Sequence, residues 1–490
     1  MTGLVTPTEP VPLAELGRVH FVGIGGAGMS GIARIMVARG TAVSGSDSGA
    51  SATLDELAAL GARVHVGHAA GQVGEADTLV VSSAIRDSNP ELAAARQRGL
   101  RVLHRSAALA SLMFGRRVIA VTGTHGKTTT TSMITTVLLE TGAGPAYAIG
   151  GVLAATGTGA ADGAGEYFVA EADESDGSFL MYAPDVAVIT NVEADHLDNY
   201  GTEQAYRASF RAFLGKVAPG GLLVTSADDP GTVELAGHAR DLGLRVITYG
   251  VAAEAGYRVT NVTASGMETT FLVTAGAAGA GTAVRLGVPG QHNALNAAAA
   301  FAVAVELGID PARAASALAS YRGAARRLEP KGEAGGVRVL DSYAHHPTEL
   351  AADLRAAREI VGVAGTGVAG RVIAVFQPHL YSRTRIFAAA FGAALGLADE
   401  AVVLDVYAAR EDPEPGVTGR LVADAVPGGA HYVADFADVP EAVAALAAPG
   451  DLVLTMGAGD ITRMGPLLLA EIAGTGLAGP GQVQGPGPGA

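Results

Sequence analysis

Residues 120–130, AVTGTHGKTTT, restrict the fold more than any other stretch of the chain. The apolar run RRVIAVT before the glycines reads as a buried strand, and TSMITTVLLE after them reads as a helix. Between them stand Gly123, Thr124, His125, Gly126, Lys127, Thr128 and Thr129. A glycine loop that passes from a strand into a helix leaves backbone N–H groups free to cradle phosphate. A lysine there neutralises β/γ charge, and the following threonine hydroxyl reaches Mg²⁺. The loop is shorter than the common G-x-x-x-x-G-K-[ST] form, because Val121 occupies the place of its first glycine. A chance Gly-Lys-Thr turn would not require both flanking elements. The stretch therefore predicts an α/β domain that binds ATP or GTP.

Length and composition narrow the class. A chain of 490 residues, 49% hydrophobic, is expected to hold about three domains, each with a core. Its 68 glycines follow no fibrous period. Lys and Arg total 33 against 48 Asp and Glu, a formal charge of −15. That balance argues against nucleic acid or an anionic membrane as the main partner, and leaves anionic substrates to local basic sites. With no cysteine, disulfides and thiolate metal sites are excluded. MTGLVTPTEPVPLAELG has neither the charged start nor the apolar core of a signal peptide, and ALNAAAAFAVAV is too short to span a bilayer. A cytoplasmic enzyme, monomer or homodimer, is the expectation.

Strand-like and helix-like runs alternate in three series, the pattern of parallel sheets with crossover helices. The first contains RVHFVGI, TAVSGSD, DTLVVSS and RVLHR. The second runs from RRVIAVTG through EYFVAEAD and DVAVITNV to GVPGQHNALNAAAA. The third contains VRVLDSYAHHP, RVIAVFQPHL, EAVVLDVY and DLVLTMGAG. Breaks are expected near 114–117 and 322–336, where RGAARRLEPKGEAGG reads as a domain joint. Residues 250–288 read as a small antiparallel elaboration, and the Gly/Pro-rich tail as disordered.

Further chemistry collects at predicted strand ends, where open α/β sheets bind ligands. VHFVGIGGAGMSG gives the G-x-G-x-x-G turn Gly23, Gly25, Gly28, with Gly26 inside it, and Asp47 ends the next strand. This turn suits a dinucleotide or another diphosphate such as a nucleotide sugar. EADESDGSF supplies Glu171, Asp173, Glu174 and Asp176, and TNVEADHLDNY supplies Glu193, Asp195, His196 and Asp198. Such oxygen donors, with an imidazole, suit Mg²⁺ between phosphates. Asn293 and Asn296 lie one turn apart on a helix, where they could read an adenine edge or cap the helix. DSYAHHPTE offers Asp341, Tyr343, His345 and His346; the adjacent histidines point apart, so they are not expected to share a metal. FQPHLYSRTR adds His379, Arg383 and Arg385, forks for carboxylate or phosphate.

Taken together, VGIGGAGMSGIA, TGTHGKTTT, EADESDGSF, TNVEADHLD, GQHNALNA, DSYAHHPTE, FQPHLYSRT and GAGDIT resemble, in order, the motifs of the Mur ligase family across residues 17 to 472. The resemblance implies an α/β protein of three domains: a Rossmann-like UDP-substrate domain (1–116), a central P-loop ATP domain (117–327) and a Rossmann-like ligase domain (328–474), before the tail 475–490. It implies ATP and Mg²⁺ as cofactors and, by the detail of its glycine turn, UDP-N-acetylmuramate and L-alanine as substrates joined through an acyl phosphate. It places Lys127 and Thr128 on ATP phosphate and Mg²⁺, a metal-binding carboxylate at Glu171 and the ligand of a second metal ion at His196. Lys127, Glu171, His196 and Asp341 are the implied catalytic set. Gly123 to Thr129, Asn293, Asn296, Arg327 and Asp341 are implied nucleotide contacts. The glycine turn, Asp47, His68, Ser83 and Arg105, with His345, His379 and Arg383, are implied substrate contacts. Glu174 shares the acidic motif without a settled role. Ser342 stands where a second Asp is expected, Leu328 where Phe is usual, Leu380 where Arg is frequent, and YAAREDP loosens a Tyr-x-Ala-Gly-Glu pattern. The alternatives are a ligase that attaches a recycled tripeptide, an NAD-dependent oxidoreductase built on Gly23–Gly28 and Asp47, and a non-enzymatic nucleotide switch.

Overall fold

A computed structural model describes residues 4–276, 279, 281–361, 370–409 and 411–475. Three sheets carry the chain. The first is fully parallel, in the order β3-β2-β1-β4-β5: β1 (Val19–Val22), β2 (Val43–Asp47), β3 (Arg63–Val66), β4 (Thr78–Val81) and β5 (Arg101–His104). The exposed, short β3 had no strand signal in the sequence.

The central sheet has ten strands, ordered β15-β14-β13-β12-β11-β10-β6-β9-β7-β8. These are β6 (Arg117–Thr122), β7 (Ala146–Leu153), β8 (Thr158–Ala161), β9 (Tyr167–Glu171), β10 (Val186–Ile189), β11 (Leu222–Ser226), β12 (Arg245–Gly250), β13 (Tyr257–Ser265), β14 (Glu268–Ala275) and β15 (Thr282–Leu286). The segment read as a small antiparallel elaboration continues this sheet, with β13 pairing parallel to β12 through Tyr249 and Tyr257. β6 is flanked by β10 and β9, so the loop that follows it emerges from the sheet's middle. The helix after that loop, Lys127–Glu140, buries a run of threonines. Thr131, Thr135 and Thr136 donate their hydroxyls to carbonyls four residues back at 2.8 Å, which satisfies polar groups that could not otherwise be buried.

The third sheet is ordered β16-β17-β21-β18-β19-β20: β16 (Glu329–Ala334), β17 (Val337–Ser342), β18 (Val372–Phe376), β19 (Glu400–Val403), β20 (His431–Tyr432) and β21 (Leu452–Met456). β16 lies inside the segment that reads as a joint. It is an edge strand paired antiparallel with β17, and its register shifts between Pro330 and Gly332. An edge tolerates the missing proline N–H and the charges that make the sequence look like a linker.

The chain divides into two compact units, one of residues 1–260, 272–284 and 295–321, the other of residues 261–271, 285–294 and 322–490. The first and central sheets share a unit because their cores are continuous. Ile32, Ile35, Leu109 and Leu112 belong to the same apolar cluster as Phe168, Phe179 and Phe213. The helix Ala27–Ala38 can come close to β8 because Gly31 is small: a Cβ there would lie 2.8 Å from Ala160 Cβ. The tail expected to be disordered lies, beyond Thr475, outside the described residues.

Candidate active site

The phosphate-loop residues are where the sequence places them. β6 ends at Thr122, and Lys127 is the first residue of the helix. Gly123 (φ +128°) and Gly126 (φ +80°) turn the chain in conformations that side-chain-bearing residues avoid. The loop is fixed from outside by the end of β10. Asn191 Oδ1 accepts from the His125 N–H at 2.9 Å, Thr190 Oγ1 donates to the His125 carbonyl at 2.5 Å, and Thr124 Oγ1 meets Tyr206 Oη at 3.0 Å. Sequence reasoning passed over Thr190 and Asn191, although their place at a strand end beside VEADH was a usable signal. Tyr206 gave no local signal. Asn296 Oδ1 accepts from Thr130 Oγ1 at 3.2 Å and lies 2.6 Å from where a Gly126 Cβ would be. Thr128 and Thr129 are both buried.

The segment after β9 organises the site. Glu171 Oε1 accepts from Thr128 Oγ1 at 3.0 Å, and its Oε2 from the Gly150 N–H at 2.7 Å. Glu174, left without a role by the sequence, is fully buried and accepts from Lys127 Nζ at 2.9 Å. Lys127 also donates to the carbonyls of Gly123 and Thr124. Burial pushes the Glu174 carboxyl up to about 7, against the pull of Lys127. Burial also opposes the Lys127 ammonium, but Glu174 and Asp173 outweigh it and hold its pKa above the ordinary value. His196 Nε2 lies 3.6 Å from Glu174 Oε1 and 3.5 Å from Asp195 Oδ2. Its φ of +53° is a left-handed conformation that costs a non-glycine residue ~1–2 kcal/mol and directs its ring toward these acids. The residues expected to hold metal thus fall in two groups: Thr128 meets Glu171, and His196 meets Glu174 and Asp195. Glu174 Oε2 is buried and has no hydrogen-bond partner among the described residues. Hard oxygen donors beside a phosphate loop, one of them unsatisfied, fit Mg²⁺.

The same segment reaches the first glycine turn. Asp173 Oδ2 accepts from Arg105 Nη2 at 3.0 Å, and Asp176 Oδ2 from Ser83 Oγ at 3.1 Å. Although burial opposes ionisation, Arg105 holds the Asp173 carboxyl well below the usual carboxylate range. The Arg105 guanidinium lies against the turn, since a Cβ on Gly28 would stand 2.6 Å from its Nη1. Gly26 caps the helix Ala27–Ala38, and the Gly23 N–H donates to the Ser46 carbonyl. Asp47 faces inward: its Oδ2 accepts from the Gly25 N–H at 2.9 Å and its Oδ1 from the Ser48 N–H at 2.7 Å. His68 Nδ1 meets Ser46 Oγ at 2.9 Å. Arg105, Ser83, Asp47, His68 and the turn thus gather at one end of the first sheet.

The remaining expected residues belong to the second unit, with Asn293. Asn293 Nδ2 donates to the Pro289 carbonyl at 2.7 Å. Asp341 is fully buried, accepting from Thr455 Oγ1 at 2.7 Å and Thr462 Oγ1 at 2.6 Å, with Arg326 Nε at 3.4 Å. Arg326 is a partner that the sequence did not single out. The Arg327 guanidinium lies over the Tyr343 ring at 5.3 Å. The neighbouring histidines do point apart: His345 Nδ1 meets the Tyr343 carbonyl at 3.0 Å, and the His346 ring packs on Phe387. His379 stacks on Tyr407 and stands edge-on to His345. Arg383 is buried on the helix that follows Leu380. Ser342, in place of an expected Asp, donates to Asp353.

Family models and known proteins match the chain over most of its length. Residues 18–117 match the model of the Mur ligase family catalytic domain, 121–304 that of the Mur ligase middle domain, and 326–459 that of the Mur ligase glutamate ligase domain. A UDP-N-acetylmuramate--L-alanine ligase of Thermobifida fusca is 58% identical, over 96% of this chain and 99% of the relative. Its counterpart from a Nocardioides species is 57% identical, over 96% of this chain and all of the relative. Among solved structures, the UDP-N-acetylmuramate-alanine ligase of Thermotoga maritima superposes with a TM-score of 0.77 at 30% identity, covering 94% of this chain and 99% of that one. The chain belongs to the Mur ligase family.

Proposed function

We propose that this protein is an ATP-dependent ligase that joins L-alanine to the lactyl carboxylate of UDP-N-acetylmuramate, an early cytoplasmic step of peptidoglycan synthesis. The observation that carries this reading is the 171–176 segment, which bonds Thr128 and Lys127 after the phosphate loop through Glu171 and Glu174, and through Asp173 bonds Arg105, which lies against the first glycine turn. A nucleotide triphosphate on one loop and a UDP-sugar on the other would then be held by a common strut. The identity to relatives that bear this activity in their names supports the alanine-adding reading over tripeptide recycling. An oxidoreductase reading leaves Lys127 and its acids without a task.

In this mechanism the sugar's carboxylate attacks the γ-phosphorus of ATP, the bond to ADP breaks, and an acyl phosphate forms. The amine of alanine then adds to the acyl carbon, loses a proton, and inorganic phosphate leaves. Lys127 offsets charge on the transferring phosphoryl group, and the helix N-terminus behind it contributes in the same direction. Thr128 and Glu171 would hold one Mg²⁺ and His196 a second, which supply further neutralising charge. Arg105 would hold the UDP diphosphate, and Asp173 keeps its guanidinium oriented. The His125 N–H is already given to Asn191, so the backbone amides at the N-terminus of the helix Lys127–Glu140 would orient the β- and γ-phosphates.

The test is ADP release by the purified protein. It should require Mg²⁺, UDP-N-acetylmuramate and L-alanine together, with other amino acids slower. ADP release with the murein tripeptide but not with alanine, or hydride transfer to NAD(P) without ligation, overturns the assignment.

A further inference from the structure

Behind the first glycine turn lies a buried polar cluster that the chemistry above does not use. Glu91, in the first turn of the helix Pro90–Gln97, is fully buried against His20 of β1 and Ser46 of β2. Its Oε2 accepts from Ser46 Oγ at 2.6 Å and lies 3.3 Å from His68 Nδ1, while Oε1 is 3.8 Å from Nε2 of the buried His20. Ser46 Oγ is 2.9 Å from the same His68 nitrogen, and His20 Nδ1 meets Ser44 Oγ at 2.8 Å.

The donors and acceptors in this cluster can be assigned. An ionised carboxylate only accepts, and a serine hydroxyl has one proton to give. His20 and Ser46 hold the Glu91 carboxyl below its ordinary value despite its burial. Ser46 therefore spends its proton on Glu91 and can only accept from His68. The proton of a neutral His68 imidazole then sits on Nδ1, and Nε2 presents a lone pair. His68 is the one member of the Glu91–Ser46–His68 chain that reaches the surface, with 24% of its side chain exposed. It follows β3 beside Asp47, whose carbonyl accepts from the Gly67 N–H at 2.7 Å.

We infer that Glu91 is a positioning residue for nucleobase selection: through Ser46 it fixes the Nδ1–H tautomer of His68, so that Nε2 accepts a hydrogen bond from the N3–H of uracil. This rests on the reading that the first domain takes a uridine diphosphate. Uracil offers an N–H at N3, whereas cytosine has a lone pair there, which would face the lone pair of Nε2. The cluster therefore favours UDP over CDP without any charged contact to the base.

The test is calorimetric titration of UDP and CDP into the wild-type chain, Glu91→Gln, Ser46→Ala and His68→Ala. Wild type should prefer UDP by about tenfold, the scale of one hydrogen bond against one unmade. Each variant should bring the UDP:CDP ratio close to unity. In turnover, Glu91→Gln should raise KM for the UDP-sugar about tenfold and leave kcat and the KM for ATP unchanged. A general folding defect would lower kcat and affect both nucleotides alike. His68→Ala, which leaves the buried Ser46–Glu91 bond in place, keeps the test valid if Glu91→Gln folds poorly. If wild type binds neither nucleotide, the UDP-substrate reading itself fails. If UDP binds and its preference over CDP survives in Glu91→Gln or His68→Ala, the tautomer assignment is wrong.

Discussion

Gly123→Ala should damage both stability and turnover, and the structure gives the scale. Gly123 has φ +128°, and an added Cβ would overlap Thr190 Oγ1 and lie 2.9 Å from Thr190 N and 3.0 Å from the Asn191 carbonyl oxygen. The φ value costs a residue with a Cβ ~1–3 kcal/mol. Overlap with main-chain atoms, which cannot rotate away, adds ~1–3 kcal/mol. A total of about 4 kcal/mol should lower the melting temperature of the ligand-free protein by about 8 °C for a unit of this size. Gly126→Ala is the comparison. Its φ is +80°, and its close contact is the Asn296 side-chain oxygen at 2.6 Å, which can swing aside. About half the loss is expected there. Because relief of the Gly123 overlap must move the loop away from β10, turnover should fall about a hundredfold, the usual penalty for displacing a phosphate cradle by about 1 Å. Thermal melts and a phosphate-release assay on both variants decide the matter. A Gly123→Ala protein that melts within about 2 °C of wild type and turns over normally would show that the loop is not held against Thr190 and Asn191.

Three further outcomes follow from the site. Lys127→Ala should lower kcat by about 10²–10³ and leave UDP binding intact, measured by steady-state kinetics and calorimetry, because among the described residues the lysine's hydrogen bonds go to the phosphate loop and Glu174. Glu171→Gln and His196→Ala should be partly rescued by raised Mg²⁺, whereas Glu174→Gln should not, since Glu174 acts on Lys127; rescue of Glu174→Gln alone would place the ion on that carboxylate. In the second unit, burial lowers His292 to about 4 and raises Asp353 to about 7, with the two 3.7 Å apart. A depressed imidazole loses stability as pH falls from 6.5 toward 4, and a raised carboxyl loses it as pH climbs from 3.8 toward 7. These slopes oppose each other, so Asp353→Asn should give urea midpoints that rise across this window more steeply than wild type.

The chain's local grammar determined the loops. A strand run, glycines with no side-chain constraint, a lysine and a helix-forming run fix the phosphate loop within a dozen residues, since backbone geometry and hydrogen bonding there are short-range. The same holds for the Gly23–Gly28 turn and for acids at the ends of β9 and β10. Composition excluded disulfides and thiolate metal sites outright. Pairings between distant segments were another matter. That Lys127 takes Glu174, 47 residues on, while Thr128 takes Glu171, depends on how β9 lies beside β6. The same is true of Arg105 and Asp173, 68 residues apart, which join two sheets that the sequence shows as separate series. The sequence left Glu174 without a role, because only the fold shows that it is buried and held against Lys127 while Glu171 meets Thr128. β16 was read as a joint because proline and charge signal exposure, and an edge strand is exposed. Asp47 ends its strand as expected, yet which groups its carboxylate faces was settled by the Gly25 and Ser48 amides in the folded turn.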